Sequence, residues 1–217
     1  MNVLGNIYLT WRAGRGMRRH KVGVISRYGV DGVRFNYIIS PEDAVKTGFT
    51  PYTDFPDLSK TYTENVLDIF GQRLTKSERD DIQKYYDFWE IKPQYKEDKY
   101  YLLAHTQGLL ATDNFEFLAD YSPLEGLSFT SEICGLSHYE TPSNVLNEGD
   151  ELQWEYDSSN TYDKEAVKVL KNNMLIGYVK IVHSGVFYKN GGNFLKIKVK
   201  SVDKNGKLNR AFIKVYL

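Results

Sequence analysis

Asp157-Ser158-Ser159-Asn160-Thr161-Tyr162-Asp163-Lys164-Glu165-Ala166-Val167-Lys168-Val169 is the stretch on which the reading of this chain turns. Asp157 to Asn160 are turn-forming residues, whose short polar side chains bond nearby backbone. Ala166, Val167 and Val169 then supply the apolar positions of a strand. Tyr162 and Asp163 stand at its entrance. An aromatic ring beside a carboxylate there can stack a nucleobase and hydrogen-bond a sugar hydroxyl. The plainer alternative is a turn aspartate capping backbone N–H groups and a tyrosine covering one end of a barrel. The residues alone leave both open.

On either side of this stretch the pattern is β. Strands are expected at 129–135, 151–156, 166–170, 175–179, 194–202 and 210–216. Asn172-Asn173 and Asn205-Gly206 are two-residue hairpin turns, because asparagine and glycine tolerate positive φ. One amphipathic helix is expected from Lys180 to Tyr188. Six short strands with one helix suggest a small barrel or half-barrel.

The N-terminal half reads differently. Asn6–Trp11, Lys21–Ser26 and Val33–Ile39 form a three-strand meander, with a turn at Gly29, Asp31 and Gly32. Ser40-Pro41-Glu42-Asp43 starts a helix that stops at Gly48. Thr50 to Asp57, with Pro51 and Pro56, is a loop. Helical spacing follows over Thr63–Phe70. Thr75-Lys76-Ser77-Glu78 is a capping box, followed by a stripe of Ile82, Tyr85, Tyr86 and Trp89 that Pro93 closes. Tyr100–His105 is a third helical run, and Asn114–Leu118 a strand. Ser122-Pro123 begins a linker. The fold class is therefore α+β, with a β-meander and helices in one domain over residues 1–122 and a small barrel over 129–217.

Lys plus Arg and Asp plus Glu each count 28, so the 217-residue chain is formally neutral, but the charge lies in blocks. Residues 1–40 carry a net +6, 41–128 a net −8, 129–163 a net −8 and 164–217 a net +10. Such blocks either form an anion-binding face or pair with each other in the fold. With 41% hydrophobic and 26% charged residues, disordered and low-complexity classes are excluded. No apolar run reaches the ~18 residues of a membrane helix. A basic stretch followed by an apolar run is lacking at the N-terminus, so no signal peptide and a cytoplasmic location are expected. A single cysteine, Cys134, excludes an intrachain disulfide framework and a Cys-rich zinc site.

No residue pattern supports an enzyme. His20, His105, His138 and His183 have no metal-ligand spacing, and neither a nucleophile elbow nor a phosphate-binding loop occurs. No metal or cofactor is expected. Cys134 lies in an apolar strand pattern and reads as buried and inert. The densest cation cluster is Gly14 to His20, where Arg15, Arg18 and Arg19 could grip phosphates through their planar forks, or dock on the acidic middle segment.

Residues 129–217 resemble a HIRAN domain. The motifs are Cys134-Gly135-Leu136-Ser137-His138-Tyr139, Leu146 to Leu152, Asn160 to Val169, and Ile176-Gly177-Tyr178-Val179, in matching order and spacing. The resemblance implies an OB-like β-barrel that captures the 3′ end of single-stranded DNA. It implies that Tyr162 and Asp163 grip the terminal nucleotide and its 3′-hydroxyl. The family's Gly-Leu-Arg-aromatic segment falls on Gly135 to His138, so Ser137 replaces the arginine and His138 the stacking aromatic. Lys180 lies close to a family basic position. Tyr139 and Tyr178 belong to the same motifs and complete the candidate nucleic-acid-binding set. Residues 1–120 are similar to the N-terminal region of HipA-type kinases, through Val22 to Tyr37, Phe55-Pro56-Asp57, Val66 to Leu74 and Leu103 to Asp113. The kinase core is missing from the chain. That second resemblance implies an interaction protein of a toxin–antitoxin-like system, with a HipA-like kinase or another protein as partner. The first implies a single-stranded-DNA-binding module of bacterial DNA repair or phage defence.

Overall fold

A computed structural model describes residues 3–14, 16–28, 32–139, 141–142, 144–189, 194–205 and 207–217. Two compact units result: Leu4–Asp87 with Ile91–Asp120, and Tyr121–Leu217 with Val3 and Phe88–Glu90.

The first unit is built on a five-stranded sheet. Strands β1 (Leu4–Trp11), β2 (His20–Tyr28) and β3 (Gly32–Tyr37) form the expected antiparallel meander, and a short β4 (Thr61–Tyr62) extends its edge. The sheet continues on the other side of β1 with β5 (Phe115–Tyr121). Alternation buries Ile7 and Leu9 of β1 and Val22 of β2 completely. Helix α1 (Pro41–Thr47) has the predicted ends: Ser40 Oγ accepts from the Asp43 N–H at 3.0 Å, and Gly48 closes it at φ 73°. Helices α2 (Val66–Gly71), α3 (Ile82–Phe88) and α4 (Lys99–Thr106) follow. Much of the aromatic content is core here. Phe70 is fully buried, its ring 5.2 Å from Phe35, 4.9 Å from Phe55 and 4.9 Å from Phe117.

Two helix expectations need correction. The capping box at Thr75 starts no helix. Arg79 instead clasps Asp81 through two 2.8 Å hydrogen bonds, the Ile82 N–H bonds Arg79 O, and α3 begins only there. Pro93 does not close α3 either. The helix has ended at Phe88, Glu90 takes φ 57°, and Pro93 opens a separate 3-10 turn, Pro93–Tyr95.

The second unit is a closed barrel of six antiparallel strands: β6 (Ser128–Cys134), β7 (Glu151–Tyr156), β8 (Val167–Lys171), β9 (Met174–Val179), β10 (Lys196–Asn205) and β11 (Lys207–Tyr216). The order around it is β10-β11-β6-β9-β8-β7, and β7 pairs back to β10. Phe129, Val167, Val169, Ile176, Ala211, Ile213 and Val215 fill its interior at 0% exposure. Asn172 and Asn173 adopt φ 51° and 64°, which makes the β8–β9 hairpin the sequence predicts. Gly206 of the second hairpin signal, like Gly29 and Asp31 of the meander turn, lies outside the described residues. Phe88–Glu90 pack on this barrel: the rings of Phe88 and Trp89 lie 5.1 and 5.9 Å from Phe212, and Glu90 joins Lys200, Lys214 and Ser128.

The helix expected over Lys180–Tyr188 shrinks to α5 (Gly185–Tyr188). Val182 takes φ 74°, which no α-helix accommodates and a β-branched residue rarely adopts. Buried polar contacts hold this bend. Lys180 pairs with Glu132 at 3.2 Å, and His183 Nδ1 meets Ser131 Oγ at 2.8 Å. Among the described residues no helix is long and apolar enough to cross a membrane.

Candidate nucleic-acid interface

The loop between β7 and β8 is folded by its own short polar side chains. Its backbone closes where Asp157 N–H bonds Ala166 O at 3.0 Å and Ala166 N–H bonds Asp163 O at 3.2 Å. Asn160 Oδ1 accepts from the N–H groups of Tyr162 and Asp163, at 2.9 and 3.0 Å. Asp163 Oδ1 accepts from Glu165 N–H at 3.0 Å. Among the described residues its other carboxylate oxygen takes no hydrogen bond. This tight turn drives the Tyr162 ring outward, to 74% exposure.

A second loop comes from the end of β6. Gly135, at φ 83°, lets the chain leave the strand and enter a 3-10 turn, Leu136–His138. Buried Leu136 anchors that turn, while Ser137, His138 and Tyr139 face solvent. A Cβ on Gly135 would lie 3.6 Å from the Tyr139 ring and 4.0 Å from those of His138 and Tyr178, so three rings gather around this glycine.

Tyr178 on β9 links the loops. Its ring centroid is 6.4 Å from that of Tyr139, and its hydroxyl donates to Asp157 Oδ2 at 2.9 Å. Burial pushes the Tyr178 phenol up, and the neighbouring oxygens of Tyr139 and Asp157 add to the shift. The Asp157 carboxyl is held well below the usual carboxylate range by Ser159, with Tyr178, Asn160 and Lys168 acting in the same direction against desolvation. On the other flank, Tyr188 donates to Ala166 O at 3.1 Å and its ring lies 4.4 Å from that of Tyr156.

The structure therefore links Tyr162 and Asp163, through Asn160 and Asp157, to Tyr178 on β9, beside which Tyr139 and His138 gather. It does not bring Lys180 to that surface. Lys180 is 2% exposed and bound to Glu132, since a buried ammonium requires a counter-charge. Arg18 and Arg19 belong to the sheet unit. Arg18 is exposed. Arg19 is committed to Glu116 at 2.6 Å, with longer bonds to Thr10 Oγ1 and Asn114 O. Arg15 lies outside the described residues. Cys134, expected to be buried, is exposed. Its strand alternates, so the burial of Ile133 turns the next side chain outward.

Sequence reasoning missed Asp157, Lys168 and Tyr188. Asp157 was legible as a turn residue, but its bonds to Tyr178 and Lys168 cross the barrel from β9 and β8, and no local signal announces them. The arrangement offers an exposed flat ring, a carboxylate with an open oxygen and further aromatic edges. It can stack a base and accept a hydrogen bond from a hydroxyl. Of the cations beside it, Lys168 faces Asp157 at 3.2 Å, and Lys164 is exposed.

Comparison with known proteins bears on this unit. The family model of the HIRAN domain matches residues 127–209. Two solved structures are similar over 41% of this chain. One is the HIRAN domain of human HLTF, at 23% identity and a TM-score of 0.34 over 74% of that chain. Another is a protein from Lactobacillus plantarum, at 17% identity and a TM-score of 0.31 over 92% of that chain. Among curated proteins nothing matches the chain. It is residues 127–209, the closed barrel from β6 into β11, that carry the match to the HIRAN domain.

Proposed function

We propose that the barrel binds single-stranded nucleic acid, DNA in particular, and holds it by a free 3′ end. Tyr162 stacks the terminal base, Asp163 accepts a hydrogen bond from the terminal hydroxyl, and His138 and Tyr139 flank the strand. The observation that carries this reading is the Tyr162–Asp163 pair, with an outward ring beside an open carboxylate oxygen, in a segment that matches the HIRAN domain. A module that holds strand ends suits a protein of DNA repair or phage defence, and it needs no catalysis of its own.

Fluorescence anisotropy with a short labelled strand, its 3′-hydroxyl free or blocked, tests the reading. The wild type should prefer the free end, and Asp163→Ala should erase the preference. Tyr162→Ala should weaken binding of both strands by roughly 1–3 kcal/mol, the value of one stacked base. Equal, weak binding by all three proteins would defeat the proposal. The similarity of residues 1–120 to the N-terminal region of HipA-type kinases would then take precedence, and with it a protein partner for the sheet unit.

A further inference from the structure

We infer that Asp157 is the positioning residue of this site: its carboxylate sets the Asn160 amide and, through that amide, the turn that presents Tyr162 and Asp163. The inference rests on the binding reading above and adds to it a residue that touches no ligand.

Asp157 closes the end of β7 and is 5% exposed. Both its oxygens are filled. Oδ1 accepts from Ser159 Oγ at 2.8 Å and faces Lys168 Nζ at 3.2 Å. Oδ2 accepts from the Tyr178 hydroxyl at 2.9 Å and from Asn160 Nδ2 at 3.2 Å. A carboxylate can only accept, and a backbone N–H can only donate. The Asn160 amide between them has a single workable orientation: nitrogen toward Asp157, oxygen toward Tyr162 N–H and Asp163 N–H. With its amide so fixed, Asn160 holds both recognition residues by their backbone. The same carboxylate orients Tyr178 and masks the charge of Lys168, whose side chain is still 29% exposed.

Asp157→Asn is nearly isosteric and discriminates sharply. Its amide nitrogen would confront Lys168 Nζ or Asn160 Nδ2, neither of which can accept, and Lys168 would lose its counter-charge. Two measurements on the full chain follow. In amide hydrogen exchange, Tyr162 and Asp163 should exchange about tenfold faster, the loss of a charge-assisted hydrogen bond, while Val167–Lys171 amides keep their protection. In anisotropy with a labelled oligothymidylate, the variant should bind free and blocked 3′ ends alike. Its log K against log salt slope should steepen by about 0.7, because a freed Lys168 meets one more phosphate. A general loss of structure would instead weaken both strands and flatten the slope.

Asn160→Ala supplies the second variant. It removes the acceptor of both amides and leaves Lys168 paired, so end preference should vanish with no change of slope. Unchanged exchange at Tyr162 and Asp163 in Asp157→Asn, or retained end preference in either variant, overturns the positioning role. A wild type without end preference defeats the binding reading alone, since the exchange arm still decides whether Asp157 sets the turn.

Discussion

Gly177 shows what a motif position means once the strands are in place. A Cβ there would stand 2.4 Å from Cys134 O and 2.7 Å from Ile133 Cγ2, since β9 crosses close over the end of β6. Backbone on one side and a buried side chain on the other leave no room to yield. Gly177→Ala should therefore cost about 1–3 kcal/mol through overpacking, and a thermal melt should show a midpoint lower by several degrees. An unchanged midpoint would mean that β9 shifts freely, which the register at Cys134–Tyr178 does not suggest. The glycine itself was legible in Ile176-Gly177-Tyr178-Val179, but its reason was not, because the obstructing carbonyl lies forty-odd positions earlier in the chain. Tyr162 and Asp163 were legible for the opposite reason. Their geometry is set by Asn160, two and three residues away, and short-range polar bonding leaves a signature in sequence.

Among the elements, α1 and the β8–β9 hairpin matched their local signals, whereas the capping box at Thr75 did not. Ser40, Pro41 and Gly48 bracket α1, and Asn172-Asn173 turns β8 into β9. Elements whose ends depend on distant partners departed from expectation. Lys180–Tyr188 has helical periodicity, yet contacts with Glu132 and Ser131 on β6 pull Lys180 and His183 inward and bend the chain at Val182. The segment after α2 depends on the same kind of remote contact. Arg73, its side chain 2% exposed, donates to Gly108 O at 2.8 Å and grips Asp113 at 2.5 and 2.8 Å. This fork ties the end of α2 to the approach to β5. Asp113→Asn leaves the buried guanidinium short of charge. The cost should be about 1–3 kcal/mol, below that of a wholly buried pair because Asp113 is 29% exposed. Urea unfolding would register it as a lower midpoint with an unchanged slope. Equal midpoints would show that the backbone carbonyls alone satisfy Arg73.

Across the barrel unit, charge that looks segregated in sequence is partly paired in space. The acidic block 129–163 meets the basic block 164–217 strand by strand, in Lys168–Asp157, Lys171–Asp150, Lys180–Glu132 and Arg210–Glu132. From outside the blocks, Glu90 binds Lys200 and Lys214. The formal +10 of the C-terminal block therefore overstates what a phosphate backbone would meet, and a salt dependence shallower than that charge implies is expected of the wild type. The same pairing makes the unit sensitive to acid. Burial raises the Glu90 and Glu132 carboxyls, but Lys200 and Lys214 outweigh it at Glu90, and Lys180 and Arg210 at Glu132, so both lie below the ordinary glutamate value of 4.5. Asp150, through Asn147 N–H and Lys171, and Asp157, chiefly through Ser159, lie below the aspartate value of 3.8. A folded-state pKa below the unfolded one contributes stability that is whole above the unfolded value and is lost as pH falls through the folded value. Thermal midpoints should thus hold level down to about pH 5 and fall progressively below it. Glu90→Gln removes one of these depressed carboxyls. Its melting temperature should be lower than that of wild type at pH 7, with the difference narrowing as the wild-type carboxyl protonates. A difference that stays constant from pH 7 to pH 3 would show that Glu90 acts by packing and not by its charge.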